Sequence, residues 1–367
     1  MYRAFEGLLD AALDAAIASG TLAVAERPAC RLEPPDHPVF GDATTRFAHA
    51  IAKRSGRPAP DVAAALVRHL DDPNGWIEHV EAAGPGFVNV RASLAFWRAA
   101  LARVLAGEPA LPARRGSALV LDAAAVPRSA VAADAATRLL QAVGWAVTRA
   151  TGPLDALTAS PAVDRVVVLH ATGDRGAVRR AKDAAARAGL RPGHVTSVPV
   201  GPLAVRRRGR PVGHDEVAAA LATPAGRFAI AEAPLAAPAM LDVERLALDR
   251  IDNPLVGVRH ALTRIARLGT PGEVEITRLD ALGEDDRACL REVGRRIDVL
   301  DAAAARLEAD AVAAHARALA AAFHRHYNRG AFDVSDVTLA GARRALASGV
   351  GRGLAGALRL LDAAERG

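Results

Sequence analysis

Hydrophobic positions along the chain change rhythm twice, and the changes divide it into three parts. Over residues 3–18 the apolar residues Phe5, Leu8, Leu9, Leu13 and Ile17 recur at helical spacing and stop at Gly20. After the turn Glu33-Pro34-Pro35-Asp36 and Gly41-Asp42, helices are expected over 43–55 and 60–70. Strands over 76–81 and 86–90 follow, split by Ala83-Gly84-Pro85-Gly86, and then a helix at 93–106 that runs into a linker. The middle alternates short apolar runs at 118–122, 145–149, 164–169 and 195–200 with helical patterns at 130–142 and 176–188. Such alternation predicts a small parallel sheet covered by helices. Pro- and Gly-rich breaks fall at 152–161 and 201–213. From 242 onward helices are expected over 242–267, 284–296, 308–327 and 336–362, a helical bundle. The predicted fold class is therefore α/β plus α: an N-terminal α+β domain over 1–112, a shortened Rossmann-like parallel sheet over 113–240, and a C-terminal helical bundle over 241–367.

Composition changes this picture in two ways. With 51% hydrophobic and 24% charged residues the chain reads as globular, and no apolar run reaches the roughly 18–20 residues of a membrane span. Its start carries Glu6, Asp10 and Asp14 where a secretory leader would be basic. The two cysteines, Cys30 and Cys289, form no disulfide framework, so a cytoplasmic setting is expected. The net charge of +6 is also unevenly placed. Residues 113–240 hold 17 basic against 9 acidic side chains, while the first segment is slightly acidic and the last is balanced. A positive middle attracts phosphate. Of the 47 basic residues only Lys53 and Lys182 are lysines, a bias that fits a GC-rich genome.

Isolated chemical motifs add little. His315, His324 and His326 suggest a metal, but spacing of two on a helix sends ligands to different faces, so no metal is expected. Gly349-Val350-Gly351-Arg352-Gly353 lacks the preceding strand of a phosphate loop and reads as a break between helices. Gly173-Asp174-Arg175-Gly176 does follow a strand and open a helix, where a phosphate is conceivable.

Four motifs in order carry a resemblance. Gly41-Asp42-Ala43-Thr44 with Ala48-His49-Ala50-Ile51-Ala52-Lys53, and Ala83-Gly84-Pro85-Gly86-Phe87-Val88-Asn89-Val90, are similar to motifs of bacterial arginyl-tRNA synthetases. Asp252-Asn253-Pro254-Leu255-Val256 resembles the entry to that family's anticodon-binding helices, and Ala322-Phe323-His324-Arg325-His326-Tyr327-Asn328 resembles a later helix end. The resemblance implies an N-terminal tRNA-binding domain, a degenerate class I catalytic core and a DALR-type anticodon-binding bundle. It implies that Phe87 and Asn89 meet a base of the tRNA D-loop. On a strand these two share a face, and an aromatic beside an amide can stack an unpaired base and read its edge.

The family's chemistry is not matched in the middle. Its His-x-Gly-His signature stabilises charge on the ATP phosphates, and its Lys-Met-Ser-Lys loop closes over the pyrophosphate. The eleven histidines here contain no His-x-x-His pair, Ala123-Ala124-Ala125-Val126 stands where the first signature belongs, and no two lysines lie near each other. Aminoacylation is therefore not expected. No catalytic residue and no cofactor is expected, with ATP and Mg2+ doubtful, and Asp174 remains as a nucleotide-site remnant. Arg206, Arg207, Arg208, Arg210, Arg259, Arg264, Arg325 and Tyr327 are candidates for RNA backbone or anticodon contact, the last four as exposed positions on the bundle. The expected partner is tRNA or a tRNA-like RNA. The alternative is a protein scaffold or regulatory subunit with a protein partner, and a third reading keeps a residual arginine or nucleotide site.

Overall fold

The computed structural model describes residues 2–107, 116–124, 126–152, 163–174, 176–187, 189, 194–250, 253–269 and 278–364. The expected linker and the break at 152–161 lie almost wholly outside these residues.

Helix α1 (Tyr2–Ala18) buries Phe5, Leu9 and Leu13 of the stripe its spacing predicts, while Leu8 is half-buried and Ile17 is exposed. Strand β1 (Ala43–Thr45), helices α2 (Phe47–Ser55) and α3 (Ala59–Arg68), and strands β2 (Ile77–Ala83) and β3 (Phe87–Ala92) complete the first unit. The expected helix over 43–55 thus starts late, because Ala43–Thr45 pairs antiparallel with β3. That sheet runs β1-β3-β2. Gly41 and Gly86 hold it together at positive φ. A Cβ on Gly41 would lie 2.6 Å from the Val90 carbonyl oxygen, and one on Gly86 would lie 2.6 Å from the Ala59 Cβ. Helix α4 (Leu94–Ala106) then crosses to the last third of the chain, capped by Ser93, whose hydroxyl accepts from the Phe96 amide.

The middle is the parallel sheet that alternation predicts. Strands β4 (Gly116–Asp122), β5 (Trp145–Thr151), β6 (Arg165–Ala171) and β7 (Val195–Val200) pair in parallel, in the order β5-β4-β6-β7. Successive residues of β4 and β6 face opposite sides. Val120, Val167 and Leu169 pack under α5 (Pro127–Ala142), while Leu119, Leu121, Val166 and Val168 pack on α6 (Ala177–Arg187). The break expected at 201–213 is structured instead. Strands β8 (Leu203–Arg207) and β9 (Arg210–Pro211) form a hairpin, and β10 (Ala239–Asp242) runs parallel to β8. Helices α7 (His214–Ala222) and α8 (Pro224–Glu232) lie between them in sequence. These strands are too short to give a recognisable alternation, and they bury Val205, Ala239 and Leu241 only through tertiary pairing.

The last third is helical, with three differences from expectation, one being that the helix expected over 284–296 runs on to Arg306. The helix expected over 242–267 is split into α9 (Val243–Ala247) and α10 (Val256–Arg267). Between them Asn253, 3% exposed, donates to the Leu246 and Leu248 carbonyls and accepts from the Leu255 amide. An asparagine that satisfies three backbone groups fixes a loop, not a helix. Helices α11 (Arg287–Arg306), α12 (Asp310–Asn328) and α13 (Val337–Leu360) follow. The glycines at 349–353 do not break α13, which runs through them. One continuous hydrophobic core joins α1, the β1-β3-β2 sheet, α4 and α11–α13.

Candidate nucleic-acid interface

Strand register builds the first site. Asn89 stands opposite Thr44 on one neighbouring strand and Glu81 on the other. Cross-strand partners this close interact directly. The Thr44 hydroxyl donates to Asn89 Oδ1 at 2.9 Å, and Asn89 Nδ2 donates to Glu81 Oε1 at 3.0 Å. The amide is 6% exposed and held at both ends. A primary amide has two donor and two acceptor positions, so one of each remains. Phe87 lies two residues away on the same strand, half-buried, with His49 edge-on at 5.5 Å between ring centroids and the Arg46 guanidinium 5.5 Å from its own centroid. Phe87 and Asn89 line a single cavity of about 260 Å³ together with Pro35, Asp36, Phe40 and Thr44. Phe40, 47% exposed, supplies a second aromatic wall that sequence reasoning missed. The only signal for it was an apolar residue between two turns.

The bundle candidates divide. Arg259 and Arg325 are exposed, as expected. Arg264 and Tyr327 are not: both are half-buried, with the Arg264 guanidinium 4.8 Å above the Tyr327 ring. Arg264 also donates to Asn328 Oδ1 at 3.0 Å and lies 3.1 Å from His324 Nδ1. His324 Nε2 is 2.8 Å from the Gly257 carbonyl, so that nitrogen carries the proton and Nδ1 accepts from Arg264. The expected exposure fails because both side chains are used to clamp α10 against α12. His326 instead turns toward Asp286, at 3.1 Å. Among the described residues no group of three or more His, Cys, Asp or Glu side chains could hold a metal ion.

In the middle, Arg206, Arg207, Arg208 and Arg210 project exposed from the β8–β9 hairpin. Arg207 pairs with Glu216 at 3.1 Å and Arg208 with Glu244 at 2.8 Å. Asp174 closes the turn before α6, accepting from the Gly176 amide at 3.2 Å and pairing with Arg180. At the turn from β4 into α5, Pro127 opens the helix and so offers no N–H there. The next residue, Arg128, is 2% exposed and donates to backbone carbonyls of Gly201, Pro202, Ala233, Pro234 and Ala237. Burial pulls its guanidinium below the ordinary arginine range. A lone arginine in a helical pattern gave no hint of this role. The structure thus brings Phe87 and Asn89 together and stacks Arg264 on Tyr327, while the hairpin arginines and Asp174 stand on separate elements.

Cys30 and Cys289 are free and buried, and burial first of all pushes both thiols up to about 12, so neither is a reactive thiolate. No described helix is long and apolar enough to cross a membrane.

Comparison with known proteins finds relatives for part of the sequence and for the fold. The family model of the arginyl tRNA synthetase N terminal domain matches residues 6–92. An arginine–tRNA ligase of Cereibacter sphaeroides is 37% identical over 135 residues, 33% of this chain and 23% of that protein. One from Geotalea daltonii is 33% identical over 164 residues, covering 39% and 28%. The chain spans about a quarter of the length of the curated relatives it matches. The fold is shared far more widely: the Thermus thermophilus arginyl-tRNA synthetase superposes with a TM-score of 0.76 at 13% identity over 98% of both chains. The arginyl-tRNA synthetase of Plasmodium falciparum gives 0.75 at 9% identity, over 98% of this chain and 97% of that one. Residues 6–92 therefore match the arginyl-tRNA synthetase N-terminal domain, and the chain as a whole shares the arginyl-tRNA synthetase fold.

Proposed function

We propose that this chain binds tRNA or a tRNA-like RNA and does not aminoacylate it. The observation that carries the binding is the cavity in which Phe87 and Phe40 form aromatic walls around the tethered amide of Asn89. Its volume suits one base. Stacking on an aromatic supplies affinity for any base, and an amide with one donor and one acceptor left supplies a preference. The residues 1–112 are the RNA-binding unit, 113–240 a degenerate catalytic-core remnant, and 241–367 a DALR-like anticodon-binding bundle. Arg259 and Arg325 offer charge to the RNA backbone from that bundle, and Arg206 and Arg210 do so from the hairpin. Arg264 and Tyr327 act through the stack they form.

The loss of catalysis rests on chemistry missing from the sequence. The β4–α5 turn carries Pro127 and the carbonyl-bound Arg128, with no histidine from 123 to 130. Arginine-dependent exchange of pyrophosphate into ATP should stay at background, and exchange above it sinks this part of the proposal. Binding is tested by mobility shift of labelled tRNA across salt concentrations, because phosphate contacts weaken steeply with ionic strength. Phe87→Ala should weaken binding about 5- to 150-fold, the equivalent of about 1–3 kcal/mol for one stacked base. If the wild-type chain shows no shift even at low salt, the alternative of a protein scaffold takes its place. The balanced charge of residues 241–367, 19 basic against 19 acidic, favours that alternative.

A further inference from the structure

A second cavity, of about 390 Å³, opens where the C-terminal end of α5 meets α11, α12 and α13. Arg138, Arg296, Arg359 and His315 line it, on four different helices. The volume lies in the ~300–1,000 Å³ range of small-ligand sites.

The charges around it are not balanced from within. Arg138 is shared with Asp362, at 3.4 Å, and Asp362 also holds Arg227. Among the described residues neither Arg296 nor Arg359 has an acceptor. Burial, and then the nearby Arg359 cation, pull the Arg296 guanidinium below its ordinary range. Two cations left close together without a counter-ion destabilise each other unless an anion joins them.

His315 gives an independent pointer to a ligand. It is 8% exposed, and its Nε2 is buried without a hydrogen-bond partner. Its other nitrogen, Nδ1, lies 3.5 Å from Glu292 Oε2. Burial works against the charged form of Glu292, but His315, Arg295 and Arg291 outweigh it and hold the carboxyl below the usual range. Glu292 therefore fixes the ring from behind. Nε2 is left to donate to an anion when the ring is protonated, or to accept an O–H when it is neutral. A buried polar atom without a partner is costly, and a ligand oxygen would relieve it.

We propose that this cavity binds the phosphate group of a small phosphate ester. Arg296 and Arg359 clamp the phosphate oxygens, His315 Nε2 meets one of them, and the organic part lies on the apolar wall of Val299, Leu300 and Leu360. A small ester fits better than an RNA strand because His315 is only 8% exposed and a compact group is needed to reach it. Gly356 lines the same cavity, and a Cβ there would lie 3.9 Å from the Arg296 guanidinium. The site lies apart from the Phe87–Asn89 cavity and does not depend on the tRNA reading.

The test uses the whole chain, with inorganic phosphate and then adenosine monophosphate as probes, at constant ionic strength set with sodium chloride. Calorimetry should give saturable one-to-one binding, with adenosine monophosphate tighter than phosphate. Arg359→Gln, at an exposed position that leaves folding intact, and Arg296→Gln should each weaken it at least tenfold. His315→Gln should weaken it further in the double variant with Arg359→Gln, and Arg206→Gln should leave it unchanged. Absence of saturable binding, equal binding in Arg359→Gln and wild type, or displacement of the monophosphate by tRNA would each overturn the proposal.

Discussion

Asp286 carries more of the fold than its surroundings in sequence suggest. It is 1% exposed, lies 3.1 Å from His326 Nε2 and 2.8 Å from Arg343 Nε, and accepts from the Gly283 amide at 2.9 Å. Burial alone would raise its pKa, but the His326 contact, the Gly283 amide and Arg343 prevail and lower it. A carboxyl with a depressed folded pKa contributes stability above its unfolded value, near 3.9, and loses it as pH falls through the folded one. Asp286→Ala leaves the buried Arg343 guanidinium without a counter-ion and His326 without its partner, which costs about 3–5 kcal/mol. Urea unfolding at neutral pH should show that loss, and the difference from wild type should shrink as pH falls below the unfolded carboxylate value of about 3.9. Equal stabilities at pH 7 would remove the pair from any account of the fold. Acidic residues are common in polar loops, so nothing in the local sequence marked Asp286 as buried.

At the scale of elements, small residues decide how closely helices approach. A Cβ on Gly294 of α11 would lie 2.7 Å from the Trp97 ring, and one on Gly353 of α13 would lie 2.8 Å from a Leu319 methyl. Glycine inside a helix costs about 1 kcal/mol relative to alanine, which is why the run at 349–353 reads as a break. Tertiary contact reverses the sign: the missing side chains let α4 and α12 pack directly on these surfaces. Gly294→Val should therefore destabilise the protein by about 1–3 kcal/mol through overpacking. Gly7→Ala in α1, where an added Cβ meets nothing within 4 Å, should instead stabilise it by about 0.5–1 kcal/mol. Paired thermal denaturation of the two variants checks this, and a shift of the same sign in both refutes it.

On the scale of the whole molecule, α4 belongs to two neighbourhoods at once. Phe96 packs on Phe5 and Trp76 of the first unit, while Trp97 and Leu101 meet α11 and α13. Polar links follow the same path: Arg287 donates to the Ala92 carbonyl at 2.8 Å and pairs with Glu78, and Arg291 lies 3.8 Å from buried Asp42. The first unit and the bundle should accordingly unfold together. Trp97→Ala, which empties a fully buried site, should cost about 3–5 kcal/mol. Amide exchange should then speed up in both the β1-β3-β2 sheet and α11–α13. Acceleration confined to one of them would mean that the shared core does not couple them.

By itself the sequence determined the elements whose stabilising pattern is local and long. The stripe of α1, the buried runs of β4 and β6, and the helices after 287 follow from periodicity, which a short window already contains. It also placed Phe87 and Asn89 on one face, since that depends only on strand alternation, and it determined which catalytic signatures are missing. Only the tertiary structure decided the rest. Arg207 and Arg208 of the hairpin are paired because α7 and α9 bring Glu216 and Glu244 to them. Arg264 and Tyr327 are half-buried because two helices 60 residues apart in sequence meet there. Phe40 joins Phe87, and Arg296 joins Arg359 and His315, for the same physical reason. Burial, hydrogen-bond satisfaction and uncompensated charge are properties of neighbours in space, and most of these neighbours are distant along the chain.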